Sequence, residues 1–293
     1  MSLALSCRGA GLAFAIALAA MCSEATAAPM PAERQTTVFG QHIYYVEAGT
    51  GPTLILIHGL AGSIKHWQNV IAPLARRYHV IALDQIGFGH SDKPLIDYRA
   101  ETFVDFLDEF MRVQRLPKAT LVGNSLGGWV AALTAIEHPE RVERLVLVDA
   151  AGMAGLTDYF GPKLLMALRG ATVDDERVLN PLLFADPRPY NSEEALRAGF
   201  TAHLSAGDGY TVSKVMDALE RKKDMLDGHL GAIHAPTLIL WGRQDRLVPL
   251  QFGESMQRGI AGAKLIVFDH CGHGPMIECP RAFETALENF LTQ

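Results

Sequence analysis

From residue 36 onward, short runs of aliphatic and β-branched residues alternate with longer segments whose apolar positions recur at helical spacing. The runs predict strands at 41–47, 53–57, 79–83, 119–122, 144–148, 237–241 and 264–268. Two of them, Leu54-Ile55-Leu56-Ile57 and Leu145-Val146-Leu147-Val148, are apolar at every position. A strand with one wet face alternates, so an unbroken apolar run points to a sheet covered on both faces. Helices are expected at 66–75, 102–115, 126–137, 249–258 and 281–291; Pro139 ends the third because proline cannot extend the hydrogen-bond ladder. Strand and helix in alternation predict an α/β fold, a mostly parallel sheet with helices on both faces.

The rhythm breaks between residues 151 and 233, where strand-like runs stop and Pro181, Pro187 and Pro189 appear. This block reads as a helical cap inserted into a core built from 28–150 and 234–293. Its apolar residues Tyr159, Phe160, Leu164, Leu165, Met166 and Leu168 have helical spacing, which marks either packing onto the core or the wall of a substrate pocket. No internal repeat or low-complexity tract interrupts the pattern.

Composition adds an ordinary globular balance, with 49% hydrophobic and 20% charged residues. The net charge of -6 is not gathered into blocks, so there is no electrostatic footprint for nucleic acid and a small molecule is the expected partner. The first residues change the picture more. Arg8, an apolar stretch over 11–21 and the small residues Ala25-Thr26-Ala27 read as an export signal over residues 1–27, cleaved after Ala27. The stretch is shorter than the ~20 residues a bilayer span needs, so the mature chain is expected outside the cytoplasm without a stable membrane span.

Candidate chemistry sits at strand ends. Gly123-Asn124-Ser125-Leu126-Gly127 follows an apolar strand and opens a helix, the setting of a nucleophile on a tight turn. Glycines two residues either side leave room for the turn, and the helix start aims free N–H groups at developing negative charge. A serine hydroxyl needs a neighbouring base, usually an imidazole oriented by a carboxylate. In Asp269-His270-Cys271-Gly272-His273-Gly274 the two glycines favour His273, with His270 left to packing or solvent. Asp245, after the strand ending at Trp241, is the expected acid; Asp149 also follows a strand, in a less suitable loop. The chain order Ser125, Asp245, His273 is the one a serine hydrolase of the α/β class uses. No metal or organic cofactor is implied, because the histidines lack ligand spacing and no glycine-rich phosphate loop occurs. Once residues 1–27 are removed, Cys271 and Cys279 remain on either side of His273; two separate buried thiols are expected, the alternative being a bridge that stiffens the loop.

From about Thr36 to Leu291 the chain resembles the α/β-hydrolase fold superfamily. The segments that carry this are His58-Gly59-Leu60, the run from Asp84 to Asp92 containing Gly87-Phe88-Gly89, the Ser125 turn, and the loops of Asp245 and His273. The resemblance implies that the N–H groups of Leu60 and Leu126 form the oxyanion hole, with His58 and Asp84 architectural. Asn124, the stretch from Trp241 to Pro249 and Cys271-Gly272-His273 are similar to carbon–carbon hydrolases of ring-fission products. Those enzymes carry an aromatic residue where this chain has Gly274, and their substrates are cytoplasmic. Dehalogenases and epoxide hydrolases of the superfamily use an aspartate nucleophile, and position 125 is serine. The expected activity is therefore cleavage of small carboxylic esters through an acyl-enzyme. A carbon–carbon hydrolase and a non-catalytic binding protein of the same fold are the alternatives.

Overall fold

The structure is a computed structural model that describes residues 31–293. Among these residues eight strands form one sheet: β1 (Ala32–Val38), β2 (Gln41–Ala48), β3 (Thr53–Ile57), β4 (His79–Leu83), β5 (Ala119–Asn124), β6 (Val142–Val148), β7 (Thr237–Gly242) and β8 (Lys264–Phe268). Their order is β1-β2-β4-β3-β5-β6-β7-β8. β1 pairs with β2 and β2 with β4 antiparallel, and the remaining pairs run parallel. The expected α/β architecture is what the chain adopts.

Alternation along the central strands explains the two covered faces. Ile55, Ile57, Leu121, Leu145 and Leu147 turn to one side, where they pack against α2 (Ala100–Val113), α3 (Leu126–Glu137) and α8 (Leu250–Gly259). Leu54, Leu56, Val122, Val146 and Val148 turn to the other, against α1 (Gln68–Leu74), α9 (Pro275–Glu278) and α10 (Pro280–Leu291). Both sides of these strand centres are dry, so Leu54 to Ile57 and Leu145 to Val148 are apolar at every position. α3 is buried from Leu126 to Ala135, which places the start of this helix at the centre of the molecule.

β1 is the strand that the hydrophobic pattern does not reveal. Glu33, Arg34 and Gln35 are exposed, so its run carries little apolar signal. It forms because Phe39 and Gly40, with φ of 49° and 78°, make a tight turn that returns the chain along β2 in register from Val38↔Gln41 to Ala32↔Glu47.

Between β6 and β7 the described chain has no strand and forms α4 (Gly155–Ala167), α5 (Val173–Leu183), α6 (Glu193–Ala206) and α7 (Gly209–Glu220). Gly161, at φ 64° and ψ 169°, and Pro162 kink α4. Pro181 lies within the last turn of α5, which ends at Leu183. Residues 1–30, which include the expected export signal, lie outside the described residues.

Candidate active site

Ser125 occupies the turn between β5 and α3 at φ 54° and ψ -118°, a conformation that costs an L-residue energy. Three backbone hydrogen bonds hold it there. Its N–H donates to Val148 at 3.0 Å, and its carbonyl accepts from Trp129 at 3.1 Å and Ala151 at 3.0 Å. The flanking glycines are required by space: a Cβ on Gly123 would lie 2.1 Å from the Gly127 carbonyl oxygen, and one on Gly127 2.2 Å from that of Ile57.

His273, on the loop after β8, donates from Nδ1 to Oδ2 of Asp245 at 2.7 Å. The other Asp245 oxygen accepts the N–H groups of Leu247 and Val248, both at 2.8 Å, so three donors fix the carboxylate plane. With Nδ1 engaged, Nε2 is the free nitrogen, and His273 and Ser125 line one cavity. No hydrogen bond joins them in this structure, the looser geometry such pairs show before substrate packs against them. Leu60 and Leu126 line the same cavity. Leu126 begins α3, so its N–H is one of the four without an acceptor inside the helix. His270, which the sequence leaves to packing or solvent, is exposed and takes no part.

His58 and Asp84 brace loops. The buried His58 ring pairs through Nδ1 with the Gly59 carbonyl at 2.8 Å and accepts the Gln85 N–H at Nε2 at 3.0 Å. Asp84 accepts the N–H groups of Ile64 at 2.8 Å and His90 at 2.7 Å. Burial lowers the proton affinity of His58. Burial first, then the neighbouring His58 and His273, bring His66 down to about 4, although part of its ring still faces the cavity.

Four features go beyond what the sequence reading assigns. Cys271 and Cys279 are joined in a disulfide with Cα atoms 6.3 Å apart, which corrects the expectation of two separate thiols. The short helix α9 between them returns the chain on itself and brings the sulfurs together. Glu278, beside Cys279, accepts the N–H of Gly272 at 2.8 Å and, across the seam, that of Ala185 at 2.9 Å. Burial raises its proton affinity against these donors. The end of α5 also touches the loops that bear Asp245 and His273: His273 N–H donates to Leu183 at 2.7 Å and Arg246 N–H to Leu182 at 3.1 Å. Finally, Asn124 donates to the carbonyl oxygens of Val148 at 3.2 Å and His273 at 3.1 Å, tying the serine turn to the histidine loop.

The cavity above Ser125 has a volume of about 690 Å³. Phe160 and Leu168 are among its walls, as a pocket-lining cap requires. Met166 at 71% exposure and Tyr159 at 46% instead face solvent, because the kink at Gly161 breaks the helical stripe to which the sequence assigns them. Asp149, Asp245 and His273 are the described residues whose donor atoms come close enough to hold a metal, within 4.8 Å of one another. Two of those three side chains already bond each other, so the set fits an acid–histidine pair better than a cation.

Comparison with known proteins agrees with this architecture. The pattern of the alpha/beta hydrolase fold family matches residues 52–280. The chain is 33% identical over 256 residues to the 2-hydroxymuconate semialdehyde hydrolase of Pseudomonas sp. (strain CF600), covering 84% of this chain and 89% of the relative. Among solved structures, a bacterial membrane phospholipase A superposes with a TM-score of 0.78 at 30% identity, covering 89% and 86% of the two chains. A meta-cleavage product hydrolase from Pseudomonas fluorescens IP01 superposes with a TM-score of 0.78 at 29% identity, covering 88% and 97%. The match over residues 52–280, which span β3 to β8, the serine turn and the histidine loop, shows that this chain belongs to the alpha/beta hydrolase fold family.

Proposed function

We propose that this hydrolase cleaves carboxylic esters through an acyl-enzyme on Ser125, outside the cytoplasm. The attacking atom is Ser125 Oγ, and its proton passes to Nε2 of His273 while Asp245 holds the imidazole by Nδ1. The oxyanion falls to the N–H groups of Leu60 and Leu126, each such donor contributing ~3 kcal/mol in comparable sites. His273 then returns the proton to the leaving alcohol, and water repeats the attack on the acyl-enzyme.

The observation that carries the ester reading is the chemistry of the cavity wall. Leu156, Phe160, Leu179, Leu183 and Met216 surround the space above Ser125, beside the polar side chains of His66, Glu176, Asn180 and His203; Lys65, exposed at its edge, is the one permanent cation among the described lining residues. Muconate-type substrates carry a carboxylate, and a buried carboxylate is held best by a paired cation, which this lining offers only at its exposed edge. An uncharged acyl chain needs no such partner, and it gains from apolar burial. Export is supported by the sequence pattern of residues 1–27 and by the Cys271–Cys279 bridge, since such bonds persist in oxidising compartments.

Carbon–carbon cleavage is the second reading, favoured by the identity to the semialdehyde hydrolase. The deciding assay measures kcat/KM for p-nitrophenyl esters from acetate to dodecanoate beside a vinylogous ring-fission diketone, in wild type and Ser125→Ala. Ester turnover that exceeds the diketone and vanishes with Ser125 is the expected result. Faster, Ser125-dependent diketone turnover overturns the ester reading. A properly folded wild type that neither turns over nor reacts with a fluorophosphonate is a binding protein.

A further inference from the structure

Asp149 stands beside the Asp245–His273 pair and has no part in proton transfer to Ser125. It follows β6, is fully buried, and uses one oxygen to accept the Gly242 N–H at 2.8 Å. Its other oxygen, Oδ2, is buried with no hydrogen-bond partner. One oxygen each from Asp149 and Asp245 and one nitrogen of His273 lie within 4.8 Å of one another. Asp245 has placed two N–H groups on Oδ1 and the His273 N–H on Oδ2, which leaves Oδ2 able to accept once more. Two oxygens that can only accept repel each other, and a naked carboxylate is among the costliest groups to bury. A single proton between them removes both costs.

We propose that Asp149 is kept as a neutral carboxylic acid that donates its O–H to the Asp245 carboxylate, making it a positioning residue for the catalytic acid. The inference rests on Ser125, His273 and Asp245 forming the triad. No permanent cation is among the groups that face Asp149. Asp245 comes from the loop after β7, and His273 and Glu278 come from the segment after β8; the flanking strands contribute Asn124 and Gly242, neither of which titrates. Burial first, and then the Asp245 charge, push the Asp149 carboxyl well above the usual carboxylate range. The donated hydrogen bond fixes the Asp245 plane from its open side. It also draws negative charge away from the oxygen that holds His273, so an imidazolium there is stabilised less than by an unshared carboxylate.

Two variants and one spectrum test this. In Asp149→Val the donor is gone, Asp245 bears its full charge, and the acidic limb of the kcat/KM profile moves up by about half a pH unit or more. kcat falls about tenfold while KM holds, because ground-state binding does not pass through Asp149. Asp149→Asn can donate from its amide nitrogen to Asp245 and accept from Gly242, so it brings the limb back to the wild-type position and rescues most of the turnover. In the infrared spectrum at mildly alkaline pH, the wild type shows a protonated-carboxyl band that Asp149→Asn lacks. A limb that moves down in Asp149→Asn identifies Asp149 as an anion and overturns the proposal, as does a limb unmoved in Asp149→Val or a carboxyl band unchanged by the asparagine. The infrared band reads Asp149 directly, whereas full activity of Ser125→Ala or Asp245→Asn would break the triad reading instead.

Discussion

Replacing Ser125 by glycine should stabilise the protein while abolishing its chemistry, and the comparison that shows this is with Ser125→Ala. At φ 54° and ψ -118° the serine backbone sits where L-residues pay for their Cβ, and three hydrogen bonds prevent it from relaxing. Such strain is of the order of 1–3 kcal/mol. Glycine removes it but adds about 0.5–1 kcal/mol of conformational freedom to the unfolded chain. Alanine keeps the strain and, like glycine, lacks the hydroxyl, so the difference between the two variants isolates the backbone. The net gain is about 0.5–2 kcal/mol, which for a domain of this size raises Tm by about 1–8 °C. Paired thermal melts of the purified variants, checked by urea unfolding at constant m-value, measure it. If Ser125→Gly melts at or below Ser125→Ala, the turn is not strained and its geometry has another origin.

Asp245→Asn should reduce turnover by ~10⁴-fold with substrate binding retained, since the wrong tautomer of His273 is then favoured; activity equal to wild type removes Asp245 from the triad. His66 makes stability fall in mild acid. Its folded value of about 4 lies below the ordinary 6.5, so the unfolded chain binds the extra proton first, and stability is lost as pH drops from 6.5 toward 4. His66→Gln should flatten that slope by on the order of 2 kcal/mol in urea titrations at the two pH values, and an unchanged slope refutes the assignment. Reducing the Cys271–Cys279 bridge, which spans a sequence separation of 8, should cost about 2–3 kcal/mol by loop entropy, read as a lower Tm in Cys271→Ser/Cys279→Ser. Two freely alkylated thiols in the native protein would show that the bridge does not form.

The parts of the fold that can be read from the chain are those where side chains report their surroundings. Leu54-Ile55-Leu56-Ile57 is apolar throughout because both faces of β3 are covered, and Gly123 and Gly127 appear because a Cβ at either would strike backbone. β1 escapes notice because its polar residues meet water and its pairing is carried by backbone groups common to every residue. The disulfide escapes because closure depends on how α9 turns, which two cysteines at this spacing do not specify. Asp149 reads as an alternative acid at a strand end; its burial and its unpartnered oxygen become visible only once β7 and the histidine loop are laid against it.

The same distinction governs the relation between cap and triad. Helical spacing identifies the insert, but its effect on the site runs through main-chain atoms that no residue type announces. Leu183 takes the His273 N–H, Leu182 takes the Arg246 N–H beside Asp245, and Glu278 clasps Gly272 to Ala185. The end of α5 therefore has two duties. Leu179, Leu183 and Phe184 line the cavity above Ser125 from this helix and the turn after it, while the carbonyls of Leu182 and Leu183 hold the loops that carry Asp245 and His273. A substrate that displaces α5 also displaces His273, and a near-attack geometry tolerates little such movement. Substrate fit and turnover in this hydrolase are accordingly tied to one structural element, so an insert grafted from a relative would alter both together unless it preserved the carbonyl positions at Leu182 and Leu183.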